Sequence, residues 1–317
     1  MVYLPDKYHT MKLFRLSILI VLSSFLASSC QRSMDLNTEI PQLNTLAEYK
    51  LFTPAYYRES PDGKSIQVRF YESPRIYDLP KTNADFETIK TMLDESQAAK
   101  SPIRIFTENE GSPVVTITTA QLPSPTDIQN FNNAKVIIPE PGTIKKIVPD
   151  METLNEIFEF CKQQGCATGT ATIDYCIPFQ YVVDGCYARA HKMRQIMENE
   201  FGYSCEKVFS YEGATGYLAV DAGDCCVYWW YHVAPLVTVR DHHQLKKFVM
   251  DPSMFDEPVS IETWTGAQEN LDCTPYAEFG YSDITPGYIY APGGSTDNFY
   301  FSTNWTLQWY ADLVTCD

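Results

Sequence analysis

The chain has 317 residues, and the stretch from 31 to 143 contains neither cysteine nor histidine. Thiol and imidazole groups are common nucleophiles and proton carriers in enzymes that work near neutral pH. Their absence excludes cysteine–histidine chemistry and disulfide bonds from this stretch. Nine of the ten cysteines and four of the five histidines follow it. The two parts of the chain therefore differ in their means of stabilisation and in the chemistry they can carry.

The chain is also short of positive charge. It has 24 Lys and Arg residues against 40 Asp and Glu residues, which gives a formal net charge of −16. A nucleic-acid-binding protein needs an excess of cations to neutralise phosphates, so that class is excluded. A hydrophobic content of 44%, with 14% aromatic residues, is enough for a packed core and excludes a disordered chain.

Long apolar runs are absent except near the N-terminus. Basic residues precede the apolar run Leu16–Leu22, and small residues then lead to Cys30. This pattern is typical of a secretory signal and is too short for a membrane span. We predict a signal peptide over residues 1–30, with Met11 as an alternative start and Cys30 lipidated as in a lipoprotein. A membrane is expected as a partner only through that anchor, and ordinary cleavage without a lipid is the alternative.

Export would bring the cysteines into an oxidising compartment, where they usually form disulfide bonds. The expected location is the cell envelope as a lipoprotein, or the periplasm or exterior as a soluble protein. Setting aside Cys30 for a lipid and one cysteine for chemistry leaves eight that we expect to pair, in an order the sequence does not give. These eight are Cys161, Cys166, Cys176, Cys205, Cys225, Cys226, Cys273 and Cys316.

The segment Pro139–Gly142 interrupts the periodic patterns and predicts a boundary between two domains. Before it, residues 31–65 are polar and are predicted to be a tether that runs into a domain edge, and the strand and helix patterns that follow predict a small α+β domain. The dibasic pair Lys145 and Lys146 comes after the boundary and is a candidate processing site, with an ordinary interdomain turn as the alternative. Residues 144–317 form the second predicted domain.

Cys186 lies at the start of a helical pattern in the second domain. Asp184 is placed to cap this helix, and the positive end of the helix dipole favours a thiolate in the first turn. Backbone N–H groups at the same place can bind an oxyanion. Position alone leaves open whether Cys186 is a nucleophile or half of a disulfide bond.

His232 is the histidine best placed to act as a base. It lies within the apolar run Val227–Ala234, where an imidazole needs a reason to be present. His191 lies five positions after the helix-start cysteine, far round the helix from it. His242 and His243 fall in a polar turn. A structural core histidine is the alternative for His232.

Asp251 is the candidate third member of the site. It ends the strand pattern Leu245–Met250, which follows the His232 strand across a turn. The proline after it favours an extended backbone, so the carboxylate can reach across to orient the imidazole. Asp256 is a rival in a less suitable position, and a simple Asp-Pro turn is the other alternative.

Around these residues the sequence resembles the bacterial protein-glutaminases, which are protein-glutamine deamidases. The similarity runs from about Ile147 to Phe255 and is carried by four segments in the same order and spacing. They are Val183–Ile196 around the candidate nucleophile, Cys205–Lys207, Cys225–Ala234 and Met250–Ser253.

The resemblance implies an α+β fold with a papain-like or transglutaminase-like core, in which the nucleophile helix packs on an antiparallel sheet. It implies that Cys186, His232 and Asp251 form a triad that hydrolyses the side-chain amide of glutamine in proteins and peptides, with no metal or other cofactor. It also implies a proenzyme, in which residues 31–143 cover the active site until a protease removes them.

The expected partners are proteins and peptides with exposed glutamine, together with an activating protease, and we expect a monomer. Trp230 and Tyr231 are candidates for the wall of the substrate pocket, with core packing as the alternative. A transglutaminase or a cysteine protease could use the same triad, and a lipoprotein that binds without catalysis is a third alternative. Cross-linked products would indicate the transglutaminase, and new chain termini would indicate the protease.

Overall fold

A computed structural model describes residues 50–109, 114–133 and 144–316. The described residues up to 133, here called the first region, form one six-stranded sheet with two helices. Its elements are β1 Lys50–Phe52, β2 Pro54–Glu59, β3 Ser65–Phe70, β4 Ser73–Pro80, α1 Phe86–Ala99, β5 Ile103–Glu108, β6 Val114–Gln121 and α2 Pro125–Asn133. The strand order is β1-β5-β6-β4-β3-β2, with β4 and β6 parallel and the other neighbours antiparallel.

The tether predicted over residues 31–65 ends earlier than expected, because Lys50–Phe52 and Pro54–Glu59 are already the edge strands of this sheet. Proline suggested a loop there. Pro54, however, is the first residue of an edge strand, a position where its missing N–H costs no ladder bond. The earlier part of the predicted tether lies outside the described residues.

The residues 144–316, here called the second region, contain a four-stranded antiparallel sheet in the order β11-β10-β7-β12. The elements are α3 Met151–Gln163, α4 Cys186–Ile196, β7 Glu206–Glu212, β8 Leu218–Asp221, β9 Cys226–Trp229, β10 Tyr231–Asp241, β11 Gln244–Val249, α5 Ile261–Gly266, β12 Phe279–Pro286, β13 Ile289–Ala291, β14 Ser295–Thr296 and α6 Phe301–Tyr310. The helix α4 packs on β10. The predicted α+β class, with a nucleophile helix on an antiparallel sheet, is therefore confirmed.

Strand β3 is buried on both faces. Its Ile66, Val68 and Phe70 belong to the first region's own core, together with Ile89 and Leu93 of α1. Since successive side chains of a strand point to opposite faces, the polar residues between them face away from that core. The second region covers this polar face, which is why the whole strand is buried.

Gln67 and Arg69 occupy that polar face. Gln67 accepts a hydrogen bond from Oη of Tyr217 at 2.9 Å, and Arg69 forms an ion pair with Glu212. The first region thus presents an apolar face to its own helix and a polar face to the second region. Ordinary strand alternation is used here to build an interface.

The hairpin formed by β10 and β11 sets the position of the third candidate site residue. Its turn contains His242 and His243, whose φ angles of 45° and 69° are both positive, as the central positions of a type I′ turn require. Beyond the last paired residues, Leu236 and Val249, the N–H of Met250 still donates to the backbone oxygen of Pro235 in β10 at 3.0 Å. The hairpin thereby carries Asp251 towards the start of β10, where His232 lies.

Three disulfide bonds, Cys166–Cys176, Cys225–Cys316 and Cys226–Cys273, all lie in the second region. They agree with folding in an oxidising compartment outside the cytoplasm. The expectation that all eight cysteines pair is wrong, because Cys161 keeps a buried thiol. Burial raises the pKa of that thiol, and the electrostatic effect of Cys205 adds to the rise.

Among the helices of the described ranges, none is long and apolar enough to cross a membrane.

Candidate active site

Cys186 is the first residue of α4. The preceding Gly185 has a φ of 78°, in the left-handed region, and a Cβ there would lie 2.9 Å from Cδ2 of Tyr310. Glycine is required by both the backbone angle and the available space. The prediction that Asp184 caps the helix is wrong, because its Oδ1 accepts the N–H of Gly185 at 2.6 Å, before the first helical turn.

The Cys186 side chain is almost inaccessible, with 2% of the residue exposed. Burial raises the pKa of Cys186 to about 12; Arg189 and the N–H of Val233 oppose this rise, and the charge of Asp184 adds to it. The expectation of a low-pKa thiol is therefore wrong for the chain in this form. Burial penalises the thiolate more than the helix start favours it.

His232 and Asp251 are brought together in the interior. Nε2 of His232 lies 2.7 Å from Oδ2 of Asp251, and the two side chains are 1% and 3% exposed. Burial on its own would raise the pKa of Asp251. The charge and hydrogen bond of His232, with bonds from Ser253 Oγ at 2.6 Å and Trp264 Nε1 at 2.9 Å, outweigh it and lower this pKa to about 2. The carboxylate is thus held ionised next to the imidazole.

Two tryptophans fix the plane of the imidazole. The Trp229 ring stacks on His232 with centroids 4.4 Å apart, and the Trp264 ring stacks on it at 5.3 Å. Sequence reasoning missed both residues. Trp229 falls in the same apolar run as His232, which hides its role. Trp264 lies 32 positions further along the chain, where no periodic pattern links it to the site.

Nδ1 of His232, the ring nitrogen that does not bind Asp251, is available for proton transfer. Since Nε2 binds Asp251, a proton stays on that nitrogen, and Nδ1 is the ring nitrogen at which His232 can gain or lose a proton. Within the described part of the chain, Nδ1 is buried and has no hydrogen-bond partner. The next residue, Val233, donates its N–H to the sulfur of Cys186. The thiol is therefore held against β10 beside His232.

The start of β4, at Ser73 and Pro74, contacts both sides of this site. The backbone oxygen of Ser73 accepts Nε1 of Trp230 at 2.7 Å, and that of Pro74 accepts the Trp230 N–H at 2.9 Å. Ser73 Oγ donates to Asp184 at 2.9 Å. The start of β4 is thus hydrogen-bonded two residues before Cys186 and two residues before His232.

The two pocket candidates lie in different surroundings. Trp230 is at the boundary between the regions, where its ring contacts Tyr56 and Tyr71 of the first region. Tyr231 is fully buried in the same apolar core as Cys186. Burial raises the pKa of Tyr231 well above its ordinary value.

Lys145 and Lys146 are exposed at the start of the second region. The backbone of Lys145 is hydrogen-bonded to Gly202 and Ser204, at 3.0 and 2.9 Å. Cys30 lies outside the described residues. Within the ranges that the structure covers, no cluster of three or more His, Cys, Asp or Glu side chains could hold a metal ion.

The chain is similar to solved protein-glutaminases. A crystal structure of a pro-protein-glutaminase shares 34% identity over 85% of this chain and 95% of the other, with a TM-score of 0.73. A crystal structure of protein-glutaminase shares 41% identity over 55% of this chain and 94% of the other, with a TM-score of 0.51. An NMR structure of protein-glutaminase from Chryseobacterium proteolyticum shares 42% identity over 55% of this chain and 94% of the other, with a TM-score of 0.50.

The family model described as glutaminase matches residues 154–268, which include Cys186, His232 and Asp251. No curated protein matches the chain. An identity of 34% across nearly the whole of a solved relative, with the family match centred on the buried site, settles the assignment. The chain belongs to the protein-glutaminase family.

Proposed function

We propose that this chain is a proenzyme whose second region hydrolyses glutamine side-chain amides in proteins and peptides, giving glutamate and ammonia. The observation that carries the proposal is the buried His232–Asp251 pair, with 2.7 Å between Nε2 and Oδ2, beside a helix-start cysteine in a protein-glutaminase. Cys186 acts as nucleophile, His232 as acid and base, and Asp251 orients the histidine.

In the first half of the reaction, Nδ1 of His232 takes the proton of the Cys186 thiol. The sulfur attacks the carboxamide carbon, and N–H groups at the start of α4, including that of Cys186, stabilise the oxyanion. The imidazolium then returns the proton to the amide nitrogen, which leaves as ammonia when the C–N bond breaks. A thioester remains on the enzyme.

Water completes the reaction by attacking the thioester carbon while His232 accepts a proton from it. The C–S bond breaks, glutamate is released and the thiol is restored. Asp251 holds the Nε2–H throughout, so the imidazole keeps the tautomer that presents Nδ1 to the sulfur. Neither half of the reaction needs a cofactor.

The first region would keep the enzyme latent. We assign residues 31–143 to the pro-domain and 144–317 to the catalytic domain. The start of β4, at Ser73 and Pro74, lies against the site, and burial keeps the Cys186 thiol protonated at physiological pH. Removing the pro-domain would admit water and substrate, and the thiol pKa would fall as burial ends.

Processing and location complete the proposal. A protease would cut at the exposed Lys145-Lys146 pair, where the bonds of Lys145 to residues 202 and 204 must open first. A lipid on Cys30 would tether the proenzyme to the cell envelope, and cutting would release the catalytic domain as a soluble monomer. Proteins with exposed glutamine and the processing protease are its partners.

The decisive experiment uses the full chain after limited proteolysis, incubated with a glutamine-rich protein. We expect ammonia release with neither cross-links nor new termini in the substrate. The Cys186→Ala variant should lose at least about 10³-fold in rate, because no other thiol replaces the nucleophile. Ammonia is measured enzymatically, and products are analysed by mass spectrometry.

The buried thiol variant Cys161→Ala is the matched control and should keep its activity. Cross-linked products would instead indicate a transglutaminase, and new termini a protease. Ammonia release that survives Cys186→Ala would overturn the triad. If processed chain gives no reaction with any substrate, a binding function would replace the proposed enzyme.

A further inference from the structure

Glu212, the last residue of β7, is a buried carboxylate of the catalytic region whose partners come from the pro-domain. Its side chain is 1% exposed. Arg69 binds both oxygens, from Nε at 2.8 Å and Nη2 at 3.0 Å. Arg58 adds Nη2 at 3.1 Å and Tyr56 adds Oη at 2.5 Å. The proposed processing would remove all three partners and leave this carboxylate behind.

The segment that follows Glu212 is shaped to receive a guanidinium group. Arg58 donates to the backbone oxygens of Gly213 at 3.3 Å and Ala214 at 3.0 Å, and also to that of Gly216. The Tyr217 ring lies beneath both arginines, with its centroid 5.1 Å from Cζ of Arg58 and 5.8 Å from that of Arg69. A carboxylate, carbonyl oxygens and an aromatic face are the groups that bind arginine best.

The catalytic region holds this receptor in shape without the pro-domain. A Cβ on Gly213 would lie 2.1 Å from the Glu278 side chain, and one on Gly216 would lie 2.2 Å from the Tyr276 oxygen. Glu278 in turn accepts the backbone N–H and the hydroxyl of Thr215, at 3.0 and 2.9 Å. The turn is therefore fixed by contacts that survive processing.

The receptor also borders the active site. The N–H of Glu212 donates to the backbone oxygen of Trp230 at 2.9 Å, two residues before His232. In the pro-domain, Arg69 enters the receptor from β3, while Ser73, paired with Phe70 across the turn, binds Trp230 beside the site. One short peptide segment can therefore reach both places at once.

We propose that in the processed enzyme Glu212 and the 213–217 turn form a subsite for an arginine or lysine side chain of the protein substrate, close to the target glutamine. The pro-domain arginines occupy this subsite until processing. This inference rests on the proposed function. Residues 144–317 contain 10 Lys and Arg against 24 Asp and Glu, and the resulting net charge of −14 further favours encounter with cationic substrates.

The test measures kcat/KM of the processed full chain on peptides that contain one glutamine and, at one flanking position at a time, either arginine or its neutral isostere citrulline. We expect a preference of about tenfold for arginine at one or more positions. Glu212→Gln should reduce this ratio towards one, whereas the exposed control Glu152→Gln should keep it.

Equal kcat/KM for arginine and citrulline peptides at every position would overturn the subsite. So would a Glu212→Gln enzyme that keeps the full preference but binds its pro-domain more weakly, since Glu212 would then only hold the pro-domain. The comparison of arginine and citrulline peptides with the wild-type enzyme tests the subsite even if the Glu212→Gln variant fails to fold.

Absence of ammonia from every peptide would instead contradict the proposed function. In that case the subsite is tested by measuring, with calorimetry, how tightly the same peptide pairs bind to the processed chain. Tighter binding of arginine peptides supports it, and equal binding overturns it.

Discussion

The two regions of this protein bury polar side chains in opposite ways. In the first region, Gln67 and Arg69 are buried where they bind Tyr217 and Glu212 of the second region. In the second region, His232 and Asp251 are buried against each other and against Trp264, which also belongs to that region. A polar network that depends on a neighbour is lost when the neighbour leaves, whereas a self-contained network is kept.

The means of stabilisation follow the same division. The first region relies on an apolar core between its sheet and α1, and the second adds three disulfide bonds. Disulfide bonds cross-link the second region covalently, whereas residues 31–143 contain no cysteine. The proposed processing requires this difference, because the second region would have to remain folded without the first. Each prediction below tests that contrast.

The largest expected effect concerns the disulfide bonds. The double substitution Cys225→Ser with Cys316→Ser opens a loop whose ends are 91 positions apart. The double substitution Cys166→Ser with Cys176→Ser opens a loop whose ends are only 10 positions apart. Loop-closure entropy predicts losses of about 4.6 and about 2.7 kcal/mol in the free energy of unfolding. Hydrogen exchange should show the loss in β7–β11 while β3–β6 stay protected. Equal loss of protection in both regions would show that they unfold as one unit.

The second prediction concerns latency. Cutting at Lys145-Lys146 should raise the rate of ammonia release about 100-fold, which corresponds to a site covered in about 99% of uncut molecules. Release is compared before and after limited proteolysis, with cutting followed by mass spectrometry. A chain carrying Lys145→Ala and Lys146→Ala is the control and should resist the same protease at that joint. Full activity in the uncut chain would rule out a pro-domain.

The smallest predicted effect is the pH dependence of stability. The pKa of Asp251 is lowered to about 2 in the folded chain, so its stabilisation is complete above its unfolded value near 4 and is lost as pH falls through about 2. Asp251→Asn should therefore cost about 2 kcal/mol at pH 7 and progressively less towards pH 2. Urea unfolding across this pH range measures the difference.

Asp78 in the first region provides the opposite case. Burial raises its pKa, so its contribution favours folding at low pH and is lost as pH rises above its unfolded value. The Asp78→Asn variant should show a pH dependence of the opposite sign to Asp251→Asn. The same sign for both variants would contradict the difference between the regions.

Local sequence patterns predict helices and strands well where the order of apolar and polar residues along the chain is enough to identify the element. An aspartate directly before an amphipathic pattern predicts a helix start, and Asp150 does accept the N–H of Thr153 at 2.8 Å where the helix Met151–Gln163 begins. The alternation of apolar and polar residues in Ile66–Phe70 predicts a strand, which the structure has as Ser65–Phe70. The partner of its polar face could not be predicted, because Glu212 lies 143 positions away from Arg69.

The candidate site shows the same limit. The strand order around the 242–243 turn indicated that Asp251 approaches His232, because a hairpin fixes which residues face each other. Trp264 and Trp229 could not be found in this way, since stacking depends on the orientation of rings brought together by the fold. The high pKa of the Cys186 thiol was missed because burial is a property of the packed molecule, whereas the helix start is local.

The sequence by itself determined the division of chemistry between two regions, the helix-start cysteine and the hairpin that joins its two candidate partners, because these depend on composition and on neighbours along the chain. Only the tertiary structure decided that Ser73 and Pro74 lie against the site, that the thiol is buried and that Glu212 receives two arginines. Those features depend on contacts between residues more than a hundred positions apart, which no local pattern encodes.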